Sequence, residues 1–452
     1  MALYKRKPGK EQPYWPIGNY KMRLPLIHYR LETPEFIQGL VIFTIGLSLI
    51  EIMTSVVGMS YSAALTITIF THFLMLLPST LGVPFVSGFI TPLILILIVF
   101  LSNFEPGTEA IKALIAVQIT VAVIFLLLGI TGLGKRFILS LPNSLKGGIL
   151  IGAGIGAIMT EIQSGGRLAE TPISLIIGGI LCIYIMFSNS FKKIYAKIPF
   201  LKFIANYGIM PAIMIAIFIG WFVGEYPTPQ IEWGITKPFL NEMWNVTPFV
   251  VGFPDMTILI KAVPTAILAY IIAYGDIVVG ERLVARAMES RNDEKIDYDL
   301  GQVHVLTAIR NFLHGLFLPH PGLGGPIFTA GTASVTERYT FGRKAMDSIF
   351  SGTNSLVLSL CFAMFILPLI SLFQPFLPIA LSITLILTGY LCITLGIQQV
   401  ETETEIGVAG VTGIVLTVYG AAYALLVGFL LYFIVQKQRV FKTGESAEKR
   451  VA

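Results

Sequence analysis

Charged residues are scarce in this sequence. Asp, Glu, Lys and Arg make up 13% of the 452 residues, whereas a typical soluble domain carries about 25%. Apolar residue types make up 55% of the chain, and the mean hydropathy is +0.79. Such a chain cannot cover a water-facing surface with polar groups. The composition therefore excludes an ordinary soluble enzyme and predicts a protein that lies mostly in lipid.

Cysteine is rarer still. Cys182, Cys361 and Cys392 lie inside apolar runs without a CxxC spacing, which argues against a disulfide framework or a zinc site. The sequence also lacks the GxxxxGK[ST] pattern of ATP-binding loops. Its net charge of +5 comes from short basic clusters between apolar runs rather than from one basic face. We therefore expect neither ATP use nor a nucleic-acid partner.

Apolar runs fill the chain from Phe36 onward. Most have the roughly 17–25 residues that a helix needs to cross a hydrocarbon core, and we predict about fourteen spans. Two of them are too short to cross fully. The predicted spans are 36–57, 61–80, 84–101, 108–130, 137–160, 171–189, 204–224, 256–280, 302–319, 326–338, 346–370, 376–397, 403–418 and 419–437.

The placement of basic residues predicts the orientation. Lys and Arg clusters follow the fourth, sixth, eighth and tenth spans, at 135–136, 192–202, 282–291 and 338–344. Because such clusters concentrate on the inner side, both termini are predicted to be cytoplasmic and the membrane to be the cytoplasmic (inner) one. Residues 1–35 and 438–452 would then be cytoplasmic segments, and the first of them is not a cleavable signal peptide.

One sequence pattern occurs twice. Residues 81–88 read LGVPFVSG and residues 323–330 read LGGPIFTA. These segments open the third and tenth spans, and a separation of seven spans gives the two halves opposite orientations. The pattern therefore predicts a 7+7 inverted repeat, as found in secondary transporters, with coincidence as the alternative.

The repeated pattern also predicts a binding site. Pro and Gly disfavour a helix at the start of each segment, so short extended stretches should lead half-helices in spans 3 and 10. The facing helix N-termini would attract a polar or anionic solute, although Ser87 and Thr329 could instead only cap the helices. The predicted substrate-binding residues are Pro84, Phe85, Ser87, Gly88, Tyr274, Pro326, Phe328, Thr329 and Thr332.

Three ionisable residues inside predicted spans are candidates for coupling, because a buried charge in a membrane is costly. Glu51 and Asp276 could bind the coupling ion, with a structural hydrogen bond as the alternative for Glu51. Arg310 would either pair with one of these carboxylates or help to hold an anionic substrate. His304, His314 and His320 could relay protons or serve only as hydrogen-bonded polar residues.

These features together resemble the fold shared by the uracil/xanthine permeases of the nucleobase–ascorbate family and the sulfate permeases. The resemblance covers residues 36–437. It implies a core domain from 36–130 and 256–370, and a gate domain from 131–255 and 371–437. It also implies alternating access and a homodimer.

The motif match is partial. Gly275 and Asp276 align with the end of the Glu-x-x-Gly-Asp motif of the nucleobase permeases, but the motif's substrate-binding Glu falls on Ile272. The polar residue of the tenth span falls near Thr332. The Arg that the sulfate permeases carry in that span is absent here. The resemblance therefore leaves the substrate class open.

We interpret the chain as a secondary active transporter, not an enzyme. Its substrate would be a small polar or anionic solute, and it would resemble the xanthine/uracil permeases. A proton or Na⁺ gradient would drive transport, and no other cofactor is expected. The alternatives are a sulfate permease-like anion transporter or exchanger, an uncoupled channel, and a non-transporting membrane protein. The expected partners are the solute, membrane lipids and a second copy of the chain.

Overall fold

Helices dominate the computed structural model, which describes residues 3–195, 197–198 and 210–436. In chain order the helices are α1 (Thr33–Ser48), α2 (Ile50–Ser55), α3 (Tyr61–Thr80), α4 (Leu93–Leu101), α5 (Thr108–Thr131), α6 (Gly134–Ser140), α7 (Asn143–Ile162), α8 (Arg167–Glu170), α9 (Pro172–Phe187), α10 (Asn189–Tyr195), α11 (Met210–Phe222), α12 (Leu240–Asn245), α13 (Pro248–Val251), α14 (Met256–Glu289), α15 (Leu300–Phe317), α16 (Thr329–Tyr339), α17 (Ile349–Ala363), α18 (Leu367–Phe373), α19 (Leu377–Gln398), α20 (Glu403–Tyr419) and α21 (Ala421–Leu431). Short two- or three-residue strands are β1 (Trp15–Ile17), β2 (Tyr20–Met22), β3 (Gly88–Phe89) and β4 (Gly324–Gly325).

Several helical segments are long and apolar enough to cross a membrane. Within the described residues there are 6 of them: Thr33–Ser55, Tyr61–Thr80, Thr108–Thr131, Asn143–Glu170, Met256–Glu289 and Leu367–Gln398. Shorter apolar helices include Pro172–Phe187, Pro211–Phe222, Ile349–Ala363 and Ala421–Gln436. The count of fourteen spans stays a prediction.

Some helices depart from the predicted bounds. The first span is interrupted at Leu49, between α1 and α2. The fifth is divided by Pro142, which cannot donate a backbone hydrogen bond, into α6 and α7. The eighth continues past residue 280 to Glu289, so Glu281 lies within the helix. Parts of two further predictions, 204–209 of the seventh span and the tail at 438–452, fall outside the described residues.

The helices pack into two groups. In the first group α1, α3, α5, α14, α15, α16 and α17 contact one another. In the second group α7 contacts α19 and α20, and α9 contacts α11 and α19. The short helix α4 contacts both groups, through α14 and α7. The larger apolar core lies mainly in the first group, whereas a smaller one joins α9, α11 and α19.

Residues 3–32 form a folded cap on one end of the first group. β1 and β2 pair as an antiparallel hairpin. The Lys21 ammonium lies 2.8 Å from a Glu11 carboxylate oxygen and 2.7 Å from one of Asp297. The Arg23 guanidinium is fully buried and lies 3.9 Å from the centre of the Phe350 ring. Sequence analysis missed this cap, because its short polar segments show no apolar periodicity.

The cap is tied to two distant loops. The Arg6 guanidinium lies 3.0 Å from a carboxylate oxygen of Asp293, and it also donates a hydrogen bond to the Asp347 carbonyl. Hydrogen bonds from Arg291, helped by the positive charge of Arg6, lower the pKa of the Asp293 carboxyl to about 2. Glu32 accepts hydrogen bonds from the Asp347 backbone N–H at 2.8 Å and from Ser351 at 2.9 Å. The cap, the 290–299 loop and the 340–348 loop therefore lie on the same side of the molecule.

Candidate transport site

Two extended segments cross at the centre of the first helix group. β3 and β4 run antiparallel, with Gly88 opposite Gly325 and Phe89 opposite Gly324. A Cβ atom on Gly88 would lie 2.7 Å from the Phe328 Cβ, and one on Gly325 would lie 2.7 Å from the Phe89 carbonyl carbon. The two backbones can approach this closely only because both positions are glycine.

Arg310 on α15 joins the two strands. Its guanidinium donates to the Gly325 carbonyl at 2.7 Å and to the Gly88 carbonyl at 3.0 Å. The side chain is fully buried, and no Asp or Glu of the described residues lies within ion-pair distance of it. Of the two alternatives for Arg310, the ion pair with Asp276 or Glu51 is not formed among the described residues, and a role in holding an anionic substrate stays a prediction. The strand carbonyls accept its hydrogen bonds instead, and the guanidinium charge stays without a carboxylate partner.

Asn311, the next residue on α15, forms two hydrogen bonds with the backbone of β4. Its side-chain amide donates to the Gly324 carbonyl at 2.7 Å and accepts from the Gly324 N–H at 2.9 Å. This reciprocal pair satisfies β4 as a neighbouring strand would. Sequence analysis missed Asn311, because an uncharged amide inside an apolar helix gives little signal without the position of its partner.

A helix follows each strand, but not in the register that the sequence pattern predicts. α16 begins at Thr329, within the second motif, whereas α4 begins only at Leu93, beyond the end of the first. β3 follows Pro84, while β4 precedes Pro326. β3 thus begins at the last residue of the first motif copy, whereas β4 lies at the second and third residues of the second copy.

Several predicted substrate-binding residues are engaged in the packing around the strands. Ser87 is buried and donates its hydroxyl hydrogen bond to the Met75 carbonyl. Phe85 is also buried and packs edge-on against Tyr298, with ring centres 5.3 Å apart. Thr332 accepts a hydrogen bond from the Val86 N–H at 3.0 Å. These groups shape the strand crossing, and their polar atoms are already bonded to protein.

Two further predicted residues also have partners within the protein. The Pro84 carbonyl accepts a 3.4 Å hydrogen bond from the Thr353 hydroxyl. Tyr274 on α14 is buried, with its ring centre 6.0 Å from that of Tyr270 and 6.1 Å from that of His304. Tyr274 is therefore part of an aromatic cluster.

The accessible part of the site lies where α14 meets the start of α16. The Thr329 hydroxyl lies 3.4 Å from a carboxylate oxygen of Asp276, and both residues are partly exposed. Phe328 is partly exposed as well, and Ala330 is exposed. A Cβ atom on Gly275 would meet no atom within 4 Å. The structure thus brings Asp276, Phe328 and Thr329 together beside open space.

Glu51 forms no hydrogen bond with Asp276, Phe328 or Thr329 among the described residues. It is partly exposed in the first turn of α2, just after the interruption at Leu49. Its carboxylate forms no hydrogen bond or ion pair with another residue in the described ranges. The structure therefore shows no hydrogen bond of the kind offered as its structural alternative.

The apolar helices and the two crossing extended segments define an integral membrane transporter. A model of the permease family, that of the xanthine/uracil permeases, matches residues 59–317. The match covers more than half of the chain, and the chain therefore belongs to this permease family. This finding confirms the resemblance recognised in the sequence.

Two solved transporters have similar structures. One is the transmembrane domain of a cyanobacterium bicarbonate transporter, BicA, at 16% identity and a TM-score of 0.51, covering 89% of this chain and 99% of that one. The other is the murine Solute Carrier 26 family member A9 anion transporter in its inward-facing state, at 14% identity and a TM-score of 0.53. That similarity covers 95% of this chain and 70% of the murine one. At these identities the likeness shows a shared fold. No curated protein sequence matches the chain significantly.

Proposed function

We propose that the protein is a secondary active transporter of a small anionic or polar solute, coupled to a proton or Na⁺ gradient. One observation carries this proposal. A buried guanidinium without a carboxylate partner joins the two extended segments. Next to them, Thr329 at the start of α16 contacts Asp276, a partly buried carboxylate on α14.

Two sources of positive potential support an anionic solute. Arg310 contributes a full charge at the strand crossing, and the first turn of α16 contributes backbone N–H groups and the positive end of the helix dipole. Thr329 and Ala330, the first two residues of that turn, are partly and fully exposed, so a solute can reach them. Pro326 and Phe328 at the entry to α16 would shape the apolar wall of the site.

Asp276 provides a physical route to coupling. Its carboxylate lies next to the start of α16, where an anionic solute would also bind. The two negative charges would repel each other, so protonation of Asp276 would favour solute binding. A Na⁺ ion beside the carboxylate would have the same effect. Glu51 is the second candidate for ion binding, since its carboxylate is free of protein partners among the described residues.

The two helix groups support a division into moving parts. We propose that the first group is the core domain (36–130 and 256–370) and that the second is the gate domain (131–255 and 371–437). Their relative motion would expose the strand crossing alternately to the two sides. We also propose that the chain has fourteen spans in a 7+7 inverted repeat and that it lies in the inner membrane with both termini in the cytoplasm. We further propose that it forms a homodimer.

Two substrate classes follow from different observations. The family match favours a nucleobase, whose ring could lie against Phe328 while Asp276 and Thr329 bind its polar edge. Arg310 has no carboxylate partner, and the two similar structures are a bicarbonate transporter and an anion transporter; both observations favour an inorganic or organic anion. We place the anion first, because Ile272 leaves a nucleobase without the family's carboxylate.

A ligand screen separates these classes. Thermal shift of the purified protein would be measured with uracil, xanthine, bicarbonate, sulfate and small carboxylates, since a ligand that binds the native state raises the apparent stability. The stabilising compound would then be used in proteoliposome uptake with an imposed proton or Na⁺ gradient. We expect uptake that depends on the gradient.

Asp276→Asn is the matched test of coupling. It should abolish the gradient dependence while the protein remains folded, whereas Glu289→Gln, at the exposed end of the same helix, should leave it unchanged. Gradient-driven uptake at the wild-type rate in Asp276→Asn would refute the coupling role. Stabilisation by none of the compounds, together with gradient-independent ion flux, would favour an uncoupled channel.

A further inference from the structure

A group of buried polar side chains lies next to the strand crossing. It consists of Gln118 on α5, His314 on α15 and His320 in the loop before β4, and all three are fully buried. The Gln118 amide donates to the His320 carbonyl at 2.9 Å. The ring centres of His314 and His320 are 6.0 Å apart, and the His320 ring stacks on Phe89 of β3 at 4.9 Å.

Four polar atoms of this group have no protein partner within the described ranges. They are the Gln118 Oε1, both ring nitrogens of His314 and the Nε2 of His320. Buried polar atoms in proteins are nearly always hydrogen-bonded, to protein or to ordered water. Four exceptions in three neighbouring side chains therefore indicate a shared partner of another kind.

His304 shows what a satisfied histidine looks like on the same helix. Its Nε2 lies 3.2 Å from the Tyr270 hydroxyl, and its Nδ1 lies 2.8 Å from the Leu300 carbonyl. His304 is also buried. Burial in α15 therefore does not by itself leave a histidine without partners. His314 differs from His304 because neither of its ring nitrogens has a hydrogen-bond partner among the described residues.

The group adjoins the buried charge of the transport site. His314 follows Arg310 by one helical turn on α15, so the two side chains share a face. The Nε of Arg310 also lacks a protein partner among the described residues. Another ionisable group nearby is His72. Its ring packs edge-on against the Phe89 ring, with ring centres 6.4 Å apart. No Asp or Glu forms an ion pair with any of these residues in the described ranges.

We propose that Gln118, His314 and His320 form an internal water-binding site behind the strand pair. A ring separation of 6.0 Å is too long for a direct hydrogen bond and suits a bridging water molecule. The His320 Nδ1 accepts a hydrogen bond from the Gly322 N–H at 3.1 Å, so the free Nε2 of that neutral ring is a donor. His314 adds one donor and one acceptor on different edges of its ring, and the Gln118 amide oxygen adds a second acceptor. These two donors and two acceptors are groups that bound water molecules can satisfy.

This site has a consequence for the transporter. The two terminal nitrogens of the Arg310 guanidinium donate to the strand carbonyls, and its Nε is left without a protein partner in the described ranges. Water bound one helical turn away would be close enough to help stabilise this charge, which has no carboxylate partner. The inference concerns the rear of the strand crossing and does not depend on the identity of the solute. It goes beyond the proposed function.

Hydroxyl-radical footprinting by X-ray radiolysis, read by mass spectrometry, tests the proposal on the purified full-length protein. Radicals form from bound water as well as from bulk solvent, so buried side chains next to ordered water become labelled. We expect His314 and His320 to be labelled several-fold more than His304. Labelling of His314 and His320 at or below the His304 level would overturn the proposal.

The variant His314→Leu supplies a second readout. Leu has about the volume of His and cannot bind water, so the fully buried site is not overpacked, and the variant should lower the melting temperature and reduce labelling of His320. If the pocket were dry, removing two unpartnered nitrogens would leave the melting temperature unchanged or raise it, and that result would overturn the proposal. The wild-type labelling decides the question even if this variant fails to fold.

Discussion

Replacing Arg310 by Lys tests the central geometric claim of the site. The variant keeps the positive charge, so the cost of burying a charge stays similar. A Lys ammonium is a point charge and lacks the planar fork that lets Arg310 reach two carbonyls at 2.7 and 3.0 Å. We expect Lys to keep one of these two hydrogen bonds.

The expected magnitude follows from the hydrogen bond that is lost. A hydrogen bond to a charged group contributes about 1.5–3 kcal/mol. Since about 1.4 kcal/mol corresponds to a tenfold change in an equilibrium constant, local opening of the strand pair should become about 10- to 100-fold more frequent.

Hydrogen–deuterium exchange measures this opening without knowledge of the solute. The amides to follow are those of Ile90, which donates to the Gly322 carbonyl at 3.1 Å, and Gly324, which donates to Asn311 at 2.9 Å. Their protection should fall by the stated factor in Arg310→Lys. Arg282→Lys, on the exposed surface of α14, is the matched control and should leave their protection unchanged. Equal protection in Arg310→Lys and the wild type would refute the idea that the guanidinium fastens the two strands.

Three further predictions concern other contacts. Asn311→Leu should destabilise the protein by about 1–3 kcal/mol, because it leaves the Gly324 N–H and carbonyl buried without partners; a melting temperature equal to that of the wild type would contradict this. Gly325→Ala should lower the melting temperature through the 2.7 Å clash with β3, whereas Gly342→Ala, whose Cβ would meet no atom but whose φ of 94° is strained, should show only the backbone effect. The depressed pKa of Asp293 means that its contribution to stability is full above its ordinary pKa near 4 and is lost as the pH falls toward about 2. Proteolysis of the N-terminal cap should therefore accelerate across that range in the wild type and show no such step in Asp293→Asn.

The sequence predicted the broad architecture because lipid imposes a simple rule. Apolar runs of sufficient length must become helices, so helices near most predicted spans could be located from hydropathy alone. The family resemblance was also confirmed, by the permease family model that matches residues 59–317. The predictions that concern domains and residue roles stay predictions.

The sequence did not predict how the parts meet at the site. The two motif copies look equivalent in sequence, yet β3 begins at the last residue of the first copy and α4 lies beyond it, whereas β4 and the start of α16 both lie within the second copy. The partners of Arg310 are backbone carbonyls, which every residue carries and which therefore leave no trace in a sequence. Asn311 gives no signal for the same reason, since all three of its side-chain hydrogen bonds are to backbone atoms, two of Gly324 and one of Thr307.

The contacts of the N-terminal cap impose an order on how the protein is made. Arg6 leaves the ribosome long before its partners Asp293 and Asp347, which lie 287 and 341 positions further along the chain. The cap cannot reach its final position until α16 and the loop after it have been synthesised, so its docking closes one of the longest loops in the molecule. The cap is thus synthesised before the helices of the first group but docks onto their end only after them. A docked cap therefore shows that the early and late parts of that group have packed together.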